Sequence, residues 1–456
     1  MAPTTKGSRG KGMTARDVIA RLNRIQVWAF PPSFLAIIGM GYFFTFFDIT
    51  NIGFAMPAIA VQFGLTGSES LFVALAIGLI GYIFGSYIIG TLSDRYGRFN
   101  MMLVTMVLIA VGSFGDAAAT GIITLSLWRF ITGMGVGADL NLVSTYIGEL
   151  APSGKRGRIS MLTFLIGIVG QSITPFVALA LVPNMVIGWR LLFMIGGVIA
   201  IIAIAMRFKL AESPRWLAMH GRIEEANAVV SRMEEFAKKK VRLPEPKPGE
   251  VDLSKGRFPT AYLFKRQYAK RLLVFASMWF FWYIGNYGFL GDAATLLAAQ
   301  GLTIGNSILF IAVGAVGYPV GALVMAKVAD RSERKWLILC AAAIWLIGML
   351  LIGTLSDYGI MLGSFLAALA LGLYLQIAYT YTAESYPTRA RASGFALSDG
   401  IGHVGGAIGA LALPIMVSGI GFGPGFAAIG VTGLAAGFIA IAGPVASRRP
   451  LEEVSS

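Results

Sequence analysis

Twelve long apolar runs follow one another along this 456-residue chain, and that repetition leaves few folds open to it. Their approximate bounds are 34–63, 71–92, 101–119, 122–150, 159–182 and 188–206, then 272–299, 304–328, 336–355, 359–382, 392–418 and 422–446. A helix rises ~1.5 Å per residue, so roughly 20 apolar residues cross a hydrocarbon core. A segment in lipid must satisfy its own backbone hydrogen bonds, and a helix does so internally. The expectation is an all-α polytopic membrane protein with twelve transmembrane helices in two six-helix sets. Composition agrees, since only 13% of residues are charged, against roughly 25% in soluble proteins.

The charge that remains is sorted by side. If both termini are cytoplasmic, every lysine and arginine except Arg129 and Arg190 falls in a cytoplasmic segment or at its edge. The positive-inside rule therefore sets that orientation, in a cell membrane crossed many times. It also accounts for the formal charge of +14 without a nucleic-acid partner. Cys340 is the single cysteine, so no intrachain disulfide forms, and two histidines are too few for a multi-histidine metal site. The basic start lacks the short apolar core of a cleavable signal. Thr14 to Phe30 places Val18, Ile19, Leu22 and Ile25 near one helical face. That suits a short interfacial helix or a solvated helix end.

The chain divides into a cytoplasmic segment (1–33), a first bundle (34–207), a linker (208–268), a second bundle (269–446) and a short tail (447–456). In the linker, RIEEANAVVSRMEEFAKKK from Arg222 reads as a cytoplasmic helix, and LPEPKPGE from Leu243 as a proline-rich connector. The bundles echo each other. GTLSDRYGRF (Gly90–Phe99) follows the second run and AKVADRSERK (Ala326–Lys335) the eighth. YIGELAPSGKRGR (Tyr146–Arg158) closes the fourth run and YTAESYPTRARAS (Tyr381–Ser393) the tenth. Such repeats mark transporter folds, whose substrate site lies near the midplane between the repeats.

These motifs resemble the major facilitator superfamily over almost the whole chain. GTLSDRYGR is similar to its G-x-L-[SA]-D-R-x-G-R loop, and RFITGMGVGADLNLVSTYIGELAP and AESPRWL point to the branch of sugar, metabolite and phosphate symporters. The resemblance implies two pseudo-symmetric bundles rocking around one central site. In sugar porters the seventh helix resembles QQ-x-x-G-x-N; here Phe280 and Phe281 stand at the glutamines and only Asn286 remains. In phosphate symporters it resembles W-F-x-x-D-x-x-x-Y-G; Trp279, Phe280, Tyr287 and Gly288 match, but Tyr283 replaces the acid. A small organic acid or related metabolite is the expected substrate.

Asp48 stands near the middle of the first run, in FFTFFDITNIGF. A charged Asp at a bilayer centre costs at least ~2.5 kcal/mol. Desolvation favours its neutral form and a nearby cation its charged form, so an Asp that alternates between the two settings can carry a proton. The resemblance implies that Arg129, at the R-x-x-x-G position of the fourth helix, is its partner. Asp139, on the same glycine-rich helix with no evident cation nearby in sequence, is a candidate second protonation site or substrate contact.

Asp399 and His403 share a helix face at i,i+4, where an imidazolium would attract an anion. Trp279, Trp282, Tyr283, Asn286 and Tyr287 can line the cavity with ring faces and polar tips. Gln171 follows Gly170, as at the substrate contact of these families, and Gln376 is a further candidate. Asp116, Asp292 and Arg190 read as outer-end helix contacts. On the inner side, Asp94, Arg95 and Arg98, with Asp330, Arg331 and Arg334 in the second half, are expected to form clusters that close one side of the cavity. Glu149 with Arg156, and Glu384 with Arg391, repeat one spacing. Clusters that make and break give a bistable gate.

The expected activity is proton-coupled symport of a small organic acid by alternating access. The alternatives are a proton-driven exporter or antiporter, and a phosphate or sugar symporter. The expected partners are an anionic small molecule, protons and membrane lipid, and the protein is expected to act as a monomer. No enzyme chemistry, metal or cofactor is expected, with protons as the coupling ion.

Overall fold

The computed structural model describes residues 13–65, 76–182, 187–246, 260–302, 304–387 and 391–447. The start of the second apolar run, the connector beyond residue 246, Arg389 and residues 448–456 lie outside them. The described residues form sixteen α-helices and no strand. They are α1 (Ala15–Asn23), α2 (Pro32–Phe63), α3 (Ile77–Tyr96), α4 (Arg98–Ala118), α5 (Ile122–Leu150), α6 (Arg156–Leu181), α7 (Gly188–Arg207), α8 (Pro214–Met219) and α9 (Ile223–Lys238). Then follow α10 (Arg266–Ala299), α11 (Ile304–Gly314), α12 (Gly317–Val328), α13 (Arg334–Ile352), α14 (Asp357–Glu384), α15 (Arg391–Ile420) and α16 (Phe422–Ile441).

Eleven spans among the described residues are long and apolar enough to cross a membrane, with α11 and α12 forming one. The twelfth is α5. At 29 residues it has the length, but it buries Arg129, Asp139, Asn141 and Glu149, which lower its hydropathy. Lipid-facing positions must be apolar, whereas a helix enclosed by neighbours can carry polar groups. α5 packs between α3 and α4, and its glycines explain how closely. A Cβ on Gly133 would strike the Gly78 carbonyl, and one on Gly137 the Tyr82 carbonyl. Small residues thus let α3 and α5 meet backbone to backbone.

The eighth run breaks in two, and Pro319 explains where. A proline has no N–H for the carbonyl four residues earlier. That carbonyl belongs to Ala315, between α11 and α12, and the Ser172 hydroxyl of α6 donates to it at 2.8 Å. One interbundle hydrogen bond therefore replaces one helical bond.

The bundles meet along two seams, α3 against α15 and α6 against α12. Counted as spans, these are two with eleven and five with eight. Each pairing becomes the other when the halves are exchanged, as two repeats require.

Thr14 caps α1, accepting from the Asp17 amide, while Asp17 accepts from the Thr14 amide. The apolar face of this helix is covered by protein rather than offered to lipid or solvent. Val18, Ile19, Leu22 and Ile25 are all buried against the protein, because α8 and α9 cover the face they form. Glu234 of α9 accepts from Arg21 and Arg24 at 2.6 and 2.7 Å, fastening the N-terminal segment to the linker.

Candidate functional site

Distance along α3 locates the site. Asp94 stands near the basic end of this helix and Gly78 near the other, roughly 24 Å away at the α-helical rise. Around Gly78 and Tyr82 lies a small cavity between the bundles, also lined by Asp48, Ile49, Ile52, Leu79, Arg129, Gly133, Val136 and Tyr287. Among the described lining residues only Tyr287 comes from the second bundle. Asp48 sits in the middle of the 32-residue α2 and is fully buried. Arg129 Nη1 donates to its Oδ2 at 3.3 Å, and Ser113 Oγ to its Oδ1 at 3.0 Å. The same Nη1 also lies 3.3 Å from Oδ2 of Asp116. Asp116 lies in the last turn of α4, away from the basic side, and its helix contact is with this guanidinium. It is a buried second acid on the guanidinium that holds Asp48.

A second polar centre lies one step from this cavity. The Asp399 carboxylate accepts from Tyr82 at 2.6 Å and from Tyr283 at 2.7 Å, one donor on each oxygen. Tyr379 in turn donates to the Tyr283 hydroxyl at 3.2 Å. His403 Nδ1 bonds the Asp399 carbonyl at 2.8 Å, and a carbonyl only accepts, so Nδ1 carries a hydrogen. Its Nε2 is 3.2 Å from the Tyr287 hydroxyl, and its ring stacks on Tyr82 at 3.6 Å. Both ring nitrogens are thus engaged. The ring is held in an aromatic stack between Tyr82 and Tyr283.

Trp279 extends that stack, 5.1 Å from Tyr283 and 4.8 Å from Tyr379, with Nε1 donating to Thr382. Asn286 is buried on the same helix. Trp282 turns away, stacking at 3.5 Å on Tyr374 inside the second bundle. Gln171 of α6 and Gln376 of α14 are buried on opposite bundles. Gln171 Nε2 and both amide atoms of Gln376 find no hydrogen-bond partner among the described residues. Unsatisfied buried amides are uncommon, and a ligand is one group that satisfies them.

Asp139 has the cation that its sequence neighbourhood lacks. Arg207, at the end of α7, donates to both its oxygens at 2.7 and 3.1 Å, and Thr45 and Thr105 add further bonds. The cluster ties α2, α4, α5 and α7 together and lies outside the cavity lining.

The basic side carries the expected charge clusters with different pairings. Glu149 pairs with Arg98 at 3.1 Å rather than with Arg156, and Arg98 also holds Asp94 at 2.9 Å. The second bundle repeats this, with Arg334 on Glu384 at 2.6 Å. Arg156 Nε instead binds the Gly148 carbonyl and Arg391 Nε the Ala383 carbonyl, both near 3 Å. Arg156 then reaches Glu384 across the bundle boundary at 3.5 Å. Asp330 crosses it too, accepting from the Gly157 and Arg158 amides at 3.1 and 2.9 Å. It caps α6 from the opposite bundle, where a helix leaves amides unsatisfied. Arg95 and Arg331 stay exposed and outside these clusters. Gly97 turns the α3–α4 corner at φ +97°, a conformation that favours glycine, and Glu212 of the linker occupies the space a Cβ would need.

Twelve spans, two repeats and polar centres enclosed where they meet define a secondary transporter. The family model described as "Sugar (and other) transporter" matches residues 33–287, and the one described as "Major Facilitator Superfamily" matches residues 272–455. The chain belongs to this superfamily and is a transporter of metabolites, not an enzyme. It is 31% identical over 426 residues to the putative metabolite transport protein YyaJ of Bacillus subtilis, covering 92% of this chain and 94% of that one. It is 28% identical to the niacin transporter NiaP of Acinetobacter baylyi, covering 88% and 90%. The fold is similar to that of the proton:xylose symporter XylE bound to 6-bromo-6-deoxy-D-glucose, with a TM-score of 0.77 at 20% identity, over 92% of this chain and 98% of that one.

Sequence reasoning missed Tyr82 and Arg207, and read Asp116 only as an outer-end helix contact. Ser113 and Asp116 stand at i,i+3 and so share a face of α4, a pattern that could have marked Asp116 as inward. No comparable signal marks Arg207, which sits among the cations of the basic side.

Proposed function

We propose that this protein imports a small organic acid together with a proton, and that the substrate is an aromatic or heteroaromatic monocarboxylate. The observation that carries the coupling is Asp48, fully buried beside the interbundle cavity with Arg129 at 3.3 Å. An acid that can reach both a cavity and a cation can gain and release a proton as its surroundings change. Protonation weakens its hold on the guanidinium and so changes the charge that the interbundle cavity presents. The substrate class is supported by the ring-rich centre of Tyr82, Trp279, Tyr283 and Tyr379, whose faces suit a flat ring. Gln171 and Gln376 hold amide groups ready for a carboxylate or ring heteroatom. Niacin, the substrate named for one relative, is a pyridine carboxylate and fits this chemistry.

In this reading the basic side is cytoplasmic and the transporter acts as a monomer. The cross-bundle bonds of Arg156 and Asp330 then close the inner side. Asp139, fixed by Arg207, is left out of the proton route.

Reconstituted vesicles supply the test. With acid outside, radiolabelled nicotinate is expected to accumulate, and a protonophore to collapse that accumulation. Uptake that ignores both the pH gradient and the protonophore contradicts the proposal.

A further inference from the structure

An Asp48–Arg129 pair gives no electrostatic reason for a proton to bind. One carboxylate and one guanidinium are neutral together, and a proton added to them would leave a buried positive charge. Asp116 changes that balance. It is fully buried on α4, and its Oδ2 lies 3.3 Å from the Nη1 that also holds Asp48. With both acids ionised, two negative charges share one positive charge within the bundle. A net buried charge is costly there, and one proton cancels it.

The surrounding bonds join the three residues into one unit. Ser113, one turn before Asp116, donates to Asp48 at 3.0 Å, and Thr132 of α5 to Asp116 at 3.4 Å. Asp116 Oδ1 and Arg129 Nε are buried without a hydrogen-bond partner among the described residues, so the unit is not saturated. Tyr82 of α3 and Tyr287 of α10 face it across the cavity, and the Asp399–His403 pair lies beyond them. Arg190 of α7 directs its guanidinium at the Ala117 and Ala119 carbonyls instead.

We propose that Asp48, Arg129 and Asp116 take up one coupling proton as a single unit, so that Asp116 is a proton-holding residue alongside Asp48. The proposal rests on the proton-coupled reading above and deepens it. Either acid, left alone with Arg129, forms a neutral pair. Removing either one therefore removes the reason for the proton to bind.

Infrared difference spectroscopy of the full-length protein in lipid tests this without a substrate. The carbonyl band of protonated carboxyl groups is followed from alkaline to acid pH. The expected result is one titration step that disappears in both Asp48→Asn and Asp116→Asn. In Asp116→Glu, which keeps the charge and moves it, the same step is expected at a shifted midpoint. This variant also serves if Asp116→Asn does not fold. A step lost in Asp48→Asn but kept in Asp116→Asn, or unmoved in Asp116→Glu, overturns the proposal. A step lost from both asparagine variants supports it even where nicotinate is not carried. Nicotinate accumulated on a pH gradient by Asp116→Asn as by the wild type overturns it and leaves the symport reading standing.

Discussion

The Tyr82 hydroxyl donates to Asp399 Oδ2 at 2.6 Å, and this bond joins the two bundles between the cavity and the basic side. Tyr82 belongs to α3 and Asp399 to α15, one of the two seams along which the bundles meet. Rocking must break this bond. Hydrogen bonds to charged groups contribute about 1.5–3 kcal/mol. Tyr82→Phe should therefore shift the population away from the closed form by roughly 10- to 150-fold. Thiol labelling of Ser160→Cys, in a Cys340→Ser background, reads this, because Ser160 lines the closed basic-side pocket. Faster labelling is expected, and an unchanged rate would show that the bond does not hold the closure.

The cross-bundle contacts at the basic side should rank in a definite order. Asp330 caps α6 through two amides, and losing a cap costs about 1 kcal/mol. Glu384 holds Arg156 across the bundle boundary in a buried cluster, and breaking such a pair costs about 3–5 kcal/mol. In the same labelling assay Asp330→Ala should open the pocket slightly and Glu384→Gln far more. The reverse order would reject this gate.

Asp139 should matter for stability rather than for coupling. Asp139→Asn leaves the Arg207 charge buried with a weakened partner, a loss of about 3–5 kcal/mol. Thermal unfolding in detergent should show a marked drop. Protein that survives reconstitution should still move the wild-type number of protons per substrate. A stable variant with altered stoichiometry would restore Asp139 to the proton route.

The N-terminal fastening should respond to acid. Burial alone would raise the Glu234 carboxyl, but hydrogen bonds from Arg21 and Arg24 outweigh it and hold the group below the usual glutamate range. A depressed folded value stabilises above the unfolded pKa of ~4.3 and is lost as pH falls through the folded value. Amide exchange in α1, corrected for intrinsic rates, should therefore stay slow from neutral pH down to about 4.3 and quicken below it. Glu234→Gln should quicken it at neutral pH and remove its acid dependence, and equal protection in the variant at neutral pH would refute the fastening.

Legibility followed the range of the interaction. The spans could be read because lipid imposes length and hydropathy locally, and α5 was readable despite its polar groups because its length survives them. Asp48 with Arg129 was readable because so few charges lie away from the basic side. The pairings Arg98–Glu149 and Arg207–Asp139 were not, since their partners stand 51 and 68 residues apart. Equal spacing in the two halves suggested Glu149 with Arg156, but helix packing brings Arg98 closer. The amphipathic face of α1 was visible, yet what covers it depends on where α8 and α9 fold. Tyr82 looked like one aromatic among many until Asp399 arrived opposite it.

The central claim is that a proton on the Asp48 site drives uptake. In vesicles with acid outside, one coupling proton supports up to about tenfold accumulation per pH unit. Wild-type vesicles should concentrate nicotinate within that bound, and Asp48→Asn vesicles should end with equal concentrations on both sides. An Asp48→Asn protein that still concentrates nicotinate on the pH gradient would contradict the account.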